Sequence, residues 1–123
     1  MIVHICERGA WEAAQSSGKY RPASLDIEGF IHCSRPEQVL DVVNQFYREV
    51  PDLLLLWIDP DKVQAEIRWE VARGETFPHI YGPLDIQAVS VATSLLPDEN
   101  GNYTRLRLKP WTGNHPITSS PGS

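Results

Sequence analysis

The chain has little that would cross-link it, anchor it in a bilayer or draw it to a polyanion. Cysteine is scarce: Cys6 and Cys33 are the only two in 123 residues. That is too few for a disulfide framework, and both lie in apolar β-type runs where a thiol serves as a small hydrophobe. Basic residues are outnumbered, 11 Lys and Arg against 16 Asp and Glu, for a formal net charge of −5. This excludes non-specific binding to nucleic acid or to an anionic membrane as the main role. The longest apolar run, residues 53–58, is far short of the roughly 20 residues a membrane-spanning helix needs. No basic segment followed by a long apolar stretch opens the chain, so a cytoplasmic protein is expected. Glycine-rich phosphate loops, Gly-x-Gly-x-x-Gly, His-Glu-x-x-His and Gly-x-Ser-x-Gly are all missing, which removes the familiar nucleotide-binding and hydrolase routes.

What is present has a globular balance, 41% hydrophobic and 22% charged residues, enough to build a core without metal or disulfide. The expected organisation is a single domain over residues 1–108 followed by a flexible Pro-, Gly- and Ser-rich tail over 109–123. Residues 2–6 read as a first strand, with Ile2, His4 and Cys6 on one face and Val3 and Ile5 on the other. A short helix over 8–17 carries Trp11 and Ala14 and is stopped by Gly18. After a polar connector, residues 30–34 form a second strand. Ser34-Arg35-Pro36-Glu37 is a capping-box start for a helix reaching about Glu49, with Val39, Val42, Val43, Phe46 and Val50 as its buried stripe. The run Leu53-Leu54-Leu55-Leu56-Trp57-Ile58 does not alternate and so predicts a central strand covered on both faces. Residues 66–71 alternate strictly, which predicts Ile67, Trp69 and Val71 inward and Glu66, Arg68 and Glu70 outward. Residues 74–83 read as a loop, and residues 85–95 and 103–108 as two further antiparallel strands. The sum is an α+β fold, mostly strand, with two helices in the first half and no repeated βαβ unit.

The candidate chemistry lies in polar side chains on otherwise apolar strands, where burial without a partner costs about 1–3 kcal/mol per group. His4 is either a satisfied core histidine or a donor facing a cleft. His32 and Ser34 share a strand face with Phe30, an apolar wall beside two hydrogen-bonding groups, which is how small-molecule sites are composed. Ser34 also fits the cap role. Glu70 is either part of a solvated face or, if that face lines a cleft, an acid, base or acceptor for a ribose hydroxyl. Phe77-Pro78-His79-Ile80-Tyr81-Gly82 offers His79 and Tyr81 for stacking on a flat heteroaromatic ring, or else plugs a sheet edge. A metal site is not expected: His32 and Cys33 point to opposite faces of their strand, and no two histidines stand at helical ligand spacing. The same geometry disqualifies Cys33 as a nucleophile activated by His32.

Two strings, Glu28-Gly29-Phe30-Ile31-His32-Cys33-Ser34 and Phe77-Pro78-His79-Ile80-Tyr81-Gly82, stand with Ile2-Val3-His4-Ile5, Trp11, Tyr20 and Glu70. Together they resemble the bacterial family called domain of unknown function 952, over about residues 1–96. The resemblance implies a fold similar to the ADP-ribosyltransferase superfamily, a compact α+β domain whose split sheet surrounds a cleft for NAD. Carried over by position, His4 matches the first-strand residue that holds the NAD ribose region, and His32 with Ser34 the element supporting the nicotinamide ribose. Glu70 matches the glutamate that stabilises an oxocarbenium-like centre, although Arg68 two residues earlier departs from the usual glutamate motif. His4 and Glu70 are thus the candidate catalytic pair, and His32, Ser34, His79 and Tyr81 the candidate ligand-binding set. The implied ligand is NAD, ADP-ribose or a related nucleotide, with ADP-ribosyl transfer or NAD cleavage as the implied reaction and no macromolecular acceptor named. The alternatives are a non-catalytic nucleotide-binding module and a metal-dependent hydrolase.

Overall fold

The computed structural model describes residues 1–106, 110 and 111. In chain order the elements are β1 (Ile2–Glu7), α1 (Arg8–Ser17), β2 (Lys19–Tyr20), α2 (Ser24–Ile27), β3 (Ile31–His32), α3 (Val39–Phe46), β4 (Leu53–Ile58), β5 (Glu66–Ala72), β6 (Glu75–Tyr81), β7 (Leu84–Asp85) and β8 (Val89–Leu95). The strands form three antiparallel sheets in the orders β1-β4-β8, β2-β7 and β3-β6-β5. The architecture is α+β, as its residue patterns require. No helix among the described residues is long and apolar enough to cross a membrane.

The non-alternating run of β4 occupies the centre of its sheet because both of its faces are covered. Leu54, Leu56 and Ile58 join Ile2, Cys6 and Trp11 in one core cluster, and Leu53 and Leu55 join Val3, Ile5, Val39 and Val43 in the other. Burying each such leucine contributes about 2–3 kcal/mol. On the first face α1 supplies Trp11 and Ala14 and ends where predicted, at Gly18, whose φ of 83° closes the helix with a bond to the Ala14 carbonyl. On the second face lies α3, which is shorter than its apolar period suggested. Its stripe divides: Val39 and Val43 are buried in the core, while Phe46 is 52% exposed. A 3-10 turn over Pro36–Gln38 precedes it. The cap begins one residue later than expected, since the Arg35 N–H donates to Gln38 Oε1 at 2.8 Å and Ser34 takes no part.

Four other expectations are corrected. Residues 75–81, read as a loop, are the middle strand β6 despite Pro78. Cys33 stands opposite Pro78 in this register, and its N–H donates to the Pro78 carbonyl at 3.2 Å. The N–H and C=O of one residue point the same way in an antiparallel strand, so the donor that Pro78 lacks is missing on the β3 side only. The ladder therefore stops there, and Ser34 turns away to pair with Val3 of β1 through two 2.8 Å bonds. Residues 85–95 are interrupted by a 3-10 turn over Ile86–Ala88, and only β8 continues the large sheet. The segment beginning at Tyr103 is not a strand through residue 106, because the Tyr103 N–H and C=O are both taken by the Asn44 side chain at 2.8 Å. The end of that predicted strand, residues 107–108, lies outside the described residues, as does most of the expected tail. Within the tail, Pro110 bridges Thr93, and Trp111 donates its N–H to the Ala92 carbonyl at 2.7 Å and packs on the first core cluster. On β5, Ile67 packs inward, but Trp69 and Val71 are 53% and 77% exposed, the reverse of their predicted burial.

His4 ties the three sheets together. Its side chain is buried on β1, its Nδ1 meets the His32 carbonyl of β3, and its Nε2 meets the Tyr20 hydroxyl of β2 at 2.7 Å. The carbonyl only accepts, so Nδ1 carries the hydrogen and Nε2 accepts from Tyr20. The His32 carbonyl faces away from β6 by the alternation just described, and His4 supplies the donor that a neighbouring strand would have given. Burial pushes the His4 pKa down to about 4, and the ring is neutral in the folded protein.

The contacts of Trp111, His4 and Tyr20 can be tested by substitution and by pH. Trp111→Ala should lower unfolding free energy by about 1–2 kcal/mol for a partly buried indole; an unchanged urea midpoint would show that the indole contributes nothing. His4→Ala should cost about 3 kcal/mol or more, since it leaves a buried carbonyl and hydroxyl unpaired, and Tyr20→Phe about 1–2 kcal/mol. Between pH 6.5 and about 4 the unfolded chain binds a proton at His4 that the folded chain refuses, so stability falls with pH across that window by about 3 kcal/mol and levels below it. Urea midpoints across the window, compared with those of His4→Phe, check this; an identical pH slope in both proteins would contradict it.

Candidate functional site

The hairpin β5–β6 builds one wall of a cleft. Its two-residue turn, Arg73-Gly74, has φ of 52° and 78°, the left-handed pair of a type I′ hairpin whose twist matches the strands. The register pairs Glu70 with Phe77 and Arg68 with His79. Period-two alternation then puts Arg68 and Glu70 on the same face as Phe77, His79 and Tyr81. Phe30, His32 and Ser34 come from β3 and its flanks, and Val42, Phe46 and Tyr47 from the outer side of α3. Together these elements enclose about 750 Å³, in the range of small-molecule sites.

Glu70 is the polar centre. One oxygen, Oε1, accepts from His79 Nδ1 at 2.8 Å and from the Tyr81 hydroxyl at 2.7 Å. The Tyr81 bond, then the His79 bond, holds the Glu70 carboxyl below the usual carboxylate range. The same bond raises the Tyr81 pKa, because a phenolate would face a carboxylate. Glu70 can only accept as a carboxylate, so the His79 hydrogen sits on Nδ1, and in the neutral ring Nε2 is an acceptor. Among the described residues neither His79 Nε2 nor Glu70 Oε2 has a hydrogen-bond partner.

Around this centre the walls are aromatic. Phe30 stacks on His79 with centroids 4.1 Å apart and planes at 18°, and lies 5.2 Å from Tyr81 and 4.7 Å from His32. His32 meets the His79 ring edge-on at 5.4 Å, and its Nε2 bonds Glu28 Oε1 at 2.6 Å. Phe30 thus contacts the rings of two cleft histidines, each hydrogen-bonded to a glutamate. Arg73 lies over Phe46 and Phe77 at 4.8 and 5.1 Å. It has no carboxylate partner among the described residues. The Ser34 hydroxyl makes no side-chain bond among the described residues, while its backbone is fixed to β1. No three His, Cys, Asp or Glu side chains among the described residues come together as a metal centre.

Five of the six residues singled out from the sequence, His32, Ser34, Glu70, His79 and Tyr81, therefore line one cleft. His4 does not; both of its ring nitrogens are engaged in the core, and it acts on the site only by fixing the His32 backbone. Cys33 has its thiol in the core, where burial pushes its pKa up. Sequence reasoning missed Phe46, Tyr47 and Arg73. The first lay in the apolar stripe of α3, where a cleft-facing and a core-facing position have the same period. Arg73 carried no signal beyond the glycine after it, a turn signal that the adjoining Pro78 obscured.

Against known proteins, the family model described as "Protein of unknown function (DUF952)" matches residues 5–92, a span that contains every cleft residue named above. Among solved structures, the crystal structure of protein CC0527 from Caulobacter crescentus is 31% identical, with a TM-score of 0.76 over 84% of this chain and 92% of that one. The solution NMR structure of the same protein is 32% identical, with a TM-score of 0.72 over 83% of this chain and 90% of that one. No curated protein matches the chain. With its cleft inside the matched span and its fold shared with CC0527, the chain belongs to the DUF952 family of proteins of unknown function.

Proposed function

We propose that the cleft binds NAD, ADP-ribose or a related nucleotide. The observation that carries this reading is the convergence, on a single space of about 750 Å³, of an aromatic wall with a carboxylate oxygen and a cation that have no partner among the described residues. A flat heteroaromatic ring gains by stacking among Phe30, His79 and Tyr81. Ribose hydroxyls suit Glu70 Oε2 and the Ser34 hydroxyl, and a phosphate suits Arg73, whose planar fork matches its oxygens. The fold that the sequence resemblance implies, one similar to ADP-ribosyltransferases, would take the same ligand class, an argument by analogy of fold.

A second reading, that the cleft also turns its ligand over, is favoured by the Glu70–His79–Tyr81 arrangement. Cleavage at the nicotinamide–ribose bond sends the bonding pair to the nicotinamide nitrogen and leaves positive charge on the anomeric carbon. A carboxylate held ionised by two hydrogen bonds suits that charge. His79 Nε2 suits the proton of an incoming hydroxyl, its ring fixed by Glu70 as a carboxylate fixes a general-base imidazole. Without turnover the same residues make a binding module.

An amide NMR titration with NAD and ADP-ribose tests the first reading. Shifts should cluster at residues 29–34 and 77–81, and Glu70→Gln should weaken binding about tenfold, or about 1.4 kcal/mol. Arg73→Ala should weaken ADP-ribose to a similar degree and leave uncharged adenosine unaffected. Unmoved amides at millimolar NAD would overturn the proposal. Nicotinamide release, abolished by Glu70→Gln, would separate an enzyme from a binder.

A further inference from the structure

We propose that β5 is a self-pairing edge, through which two copies of this chain join their β3-β6-β5 sheets into one six-stranded sheet. The starting observation is how the other edges of the two three-stranded sheets are closed. Outside β1, Ser34 bridges Val3; outside β8, Pro110 bridges Thr93; outside β3, the His4 imidazole meets the His32 carbonyl. No described residue pairs with the outer edge of β5, the outermost strand of its sheet. It pairs with β6 over seven consecutive positions without a register shift. It therefore lacks the bulge and the proline with which edges are usually blunted.

The unpaired backbone groups can be assigned. Pro78 directs its carbonyl to β3, so by alternation Phe77, His79 and Tyr81 bond to β5, through Glu70, Arg68 and Glu66. The N–H and C=O groups of Ile67, Trp69 and Val71 consequently point outward, and no described residue bonds them. These same residues form the apolar face of β5, where Trp69 is 53% and Val71 77% exposed.

The sequence of the strand fits its own antiparallel copy. With the two-fold axis at Trp69, each Trp69 faces its equivalent, Ile67 faces Val71, and Arg68 faces Glu70. Trp69–Trp69 and Ile67–Val71 fall at hydrogen-bonded positions. Arg68 and Glu70 fall at the closer non-bonded positions, about 4.5 Å between Cα atoms, where opposite charges attract. A two-fold shift placing the axis at Arg68 would set Glu66 against Glu70, like against like, so charge selects the first register. The occupant that satisfies the backbone, the apolar face and the charges together is a second copy of this chain, an isologous pairing. Both clefts then open on the same face of the joined sheet.

Sedimentation equilibrium of the full chain from micromolar to millimolar concentration tests this. A monomer–dimer equilibrium is expected. W69K and W69E should each sediment as monomers, since like charges then meet at the axis, and an equimolar mixture of the two variants should recover the dimer. Circular dichroism melting of each variant, at a concentration where the wild type is monomeric, should match the wild type because Trp69 lies outside the core, which excludes misfolding as the cause. A wild-type chain that remains monomeric throughout, a dimer insensitive to W69K, or variants that fail to associate when mixed would overturn the proposal.

Discussion

The arrangement depends on one buried imidazole. His4 stands on β1 and hydrogen-bonds to the β3 backbone and the β2 side chain of Tyr20. Each bond satisfies a group whose burial without a partner would cost about 1–3 kcal/mol. The seam exists because β3 cannot continue along β6: Pro78 withholds a donor, Ser34 leaves for β1, and the His32 carbonyl is left facing β1 without a strand partner. A neutral histidine is suited to that place, as it can donate at one nitrogen and accept at the other. Its depressed pKa is the consequence of burial, and it makes the seam sensitive to acid.

The cleft is built on that seam. The β3–β6 register sets His32 opposite His79 on one face of the sheet, and Phe30, two residues before His32, stacks on His79 there. From the neighbouring strand of the same hairpin Glu70 reaches His79 and Tyr81 with a single oxygen, Oε1. Of the rings, His32, Phe77, His79 and Tyr81 are held by strands, and Phe30 directly precedes one, which sets their separation. Arg73, at a hairpin tip with φ of 52°, holds a conformation that asparagine or glycine adopts more readily. Its guanidinium lies over two rings at the cleft mouth, which offsets part of that strain.

Much of this was legible in advance. The six-residue apolar run declared the central strand, Gly18 declared the end of α1, and the Phe30–Ser34 and Phe77–Tyr81 strings declared most of the cleft. The errors share a cause. Pro78 disguised a strand because a missing donor is harmful only on a side that has an acceptor waiting. Alternation predicts Trp69 and Val71 inward, yet both are exposed, because alternation separates two faces of a strand without saying how far along it the core extends. An isolated polar group between apolar neighbours, such as His4, signals a required partner, and that partner can be protein as readily as ligand.

Composition, charge and periodicity thus determined the class of fold, the central strand and the set of unusual residues, since these follow from local backbone preference and from the amount of apolar side chain to be buried. Only the tertiary structure decided which polar groups face the cleft and which face one another in the core. That choice depends on backbone donors and acceptors left over where sheets meet, and no pattern along one strand records what the neighbouring strand lacks.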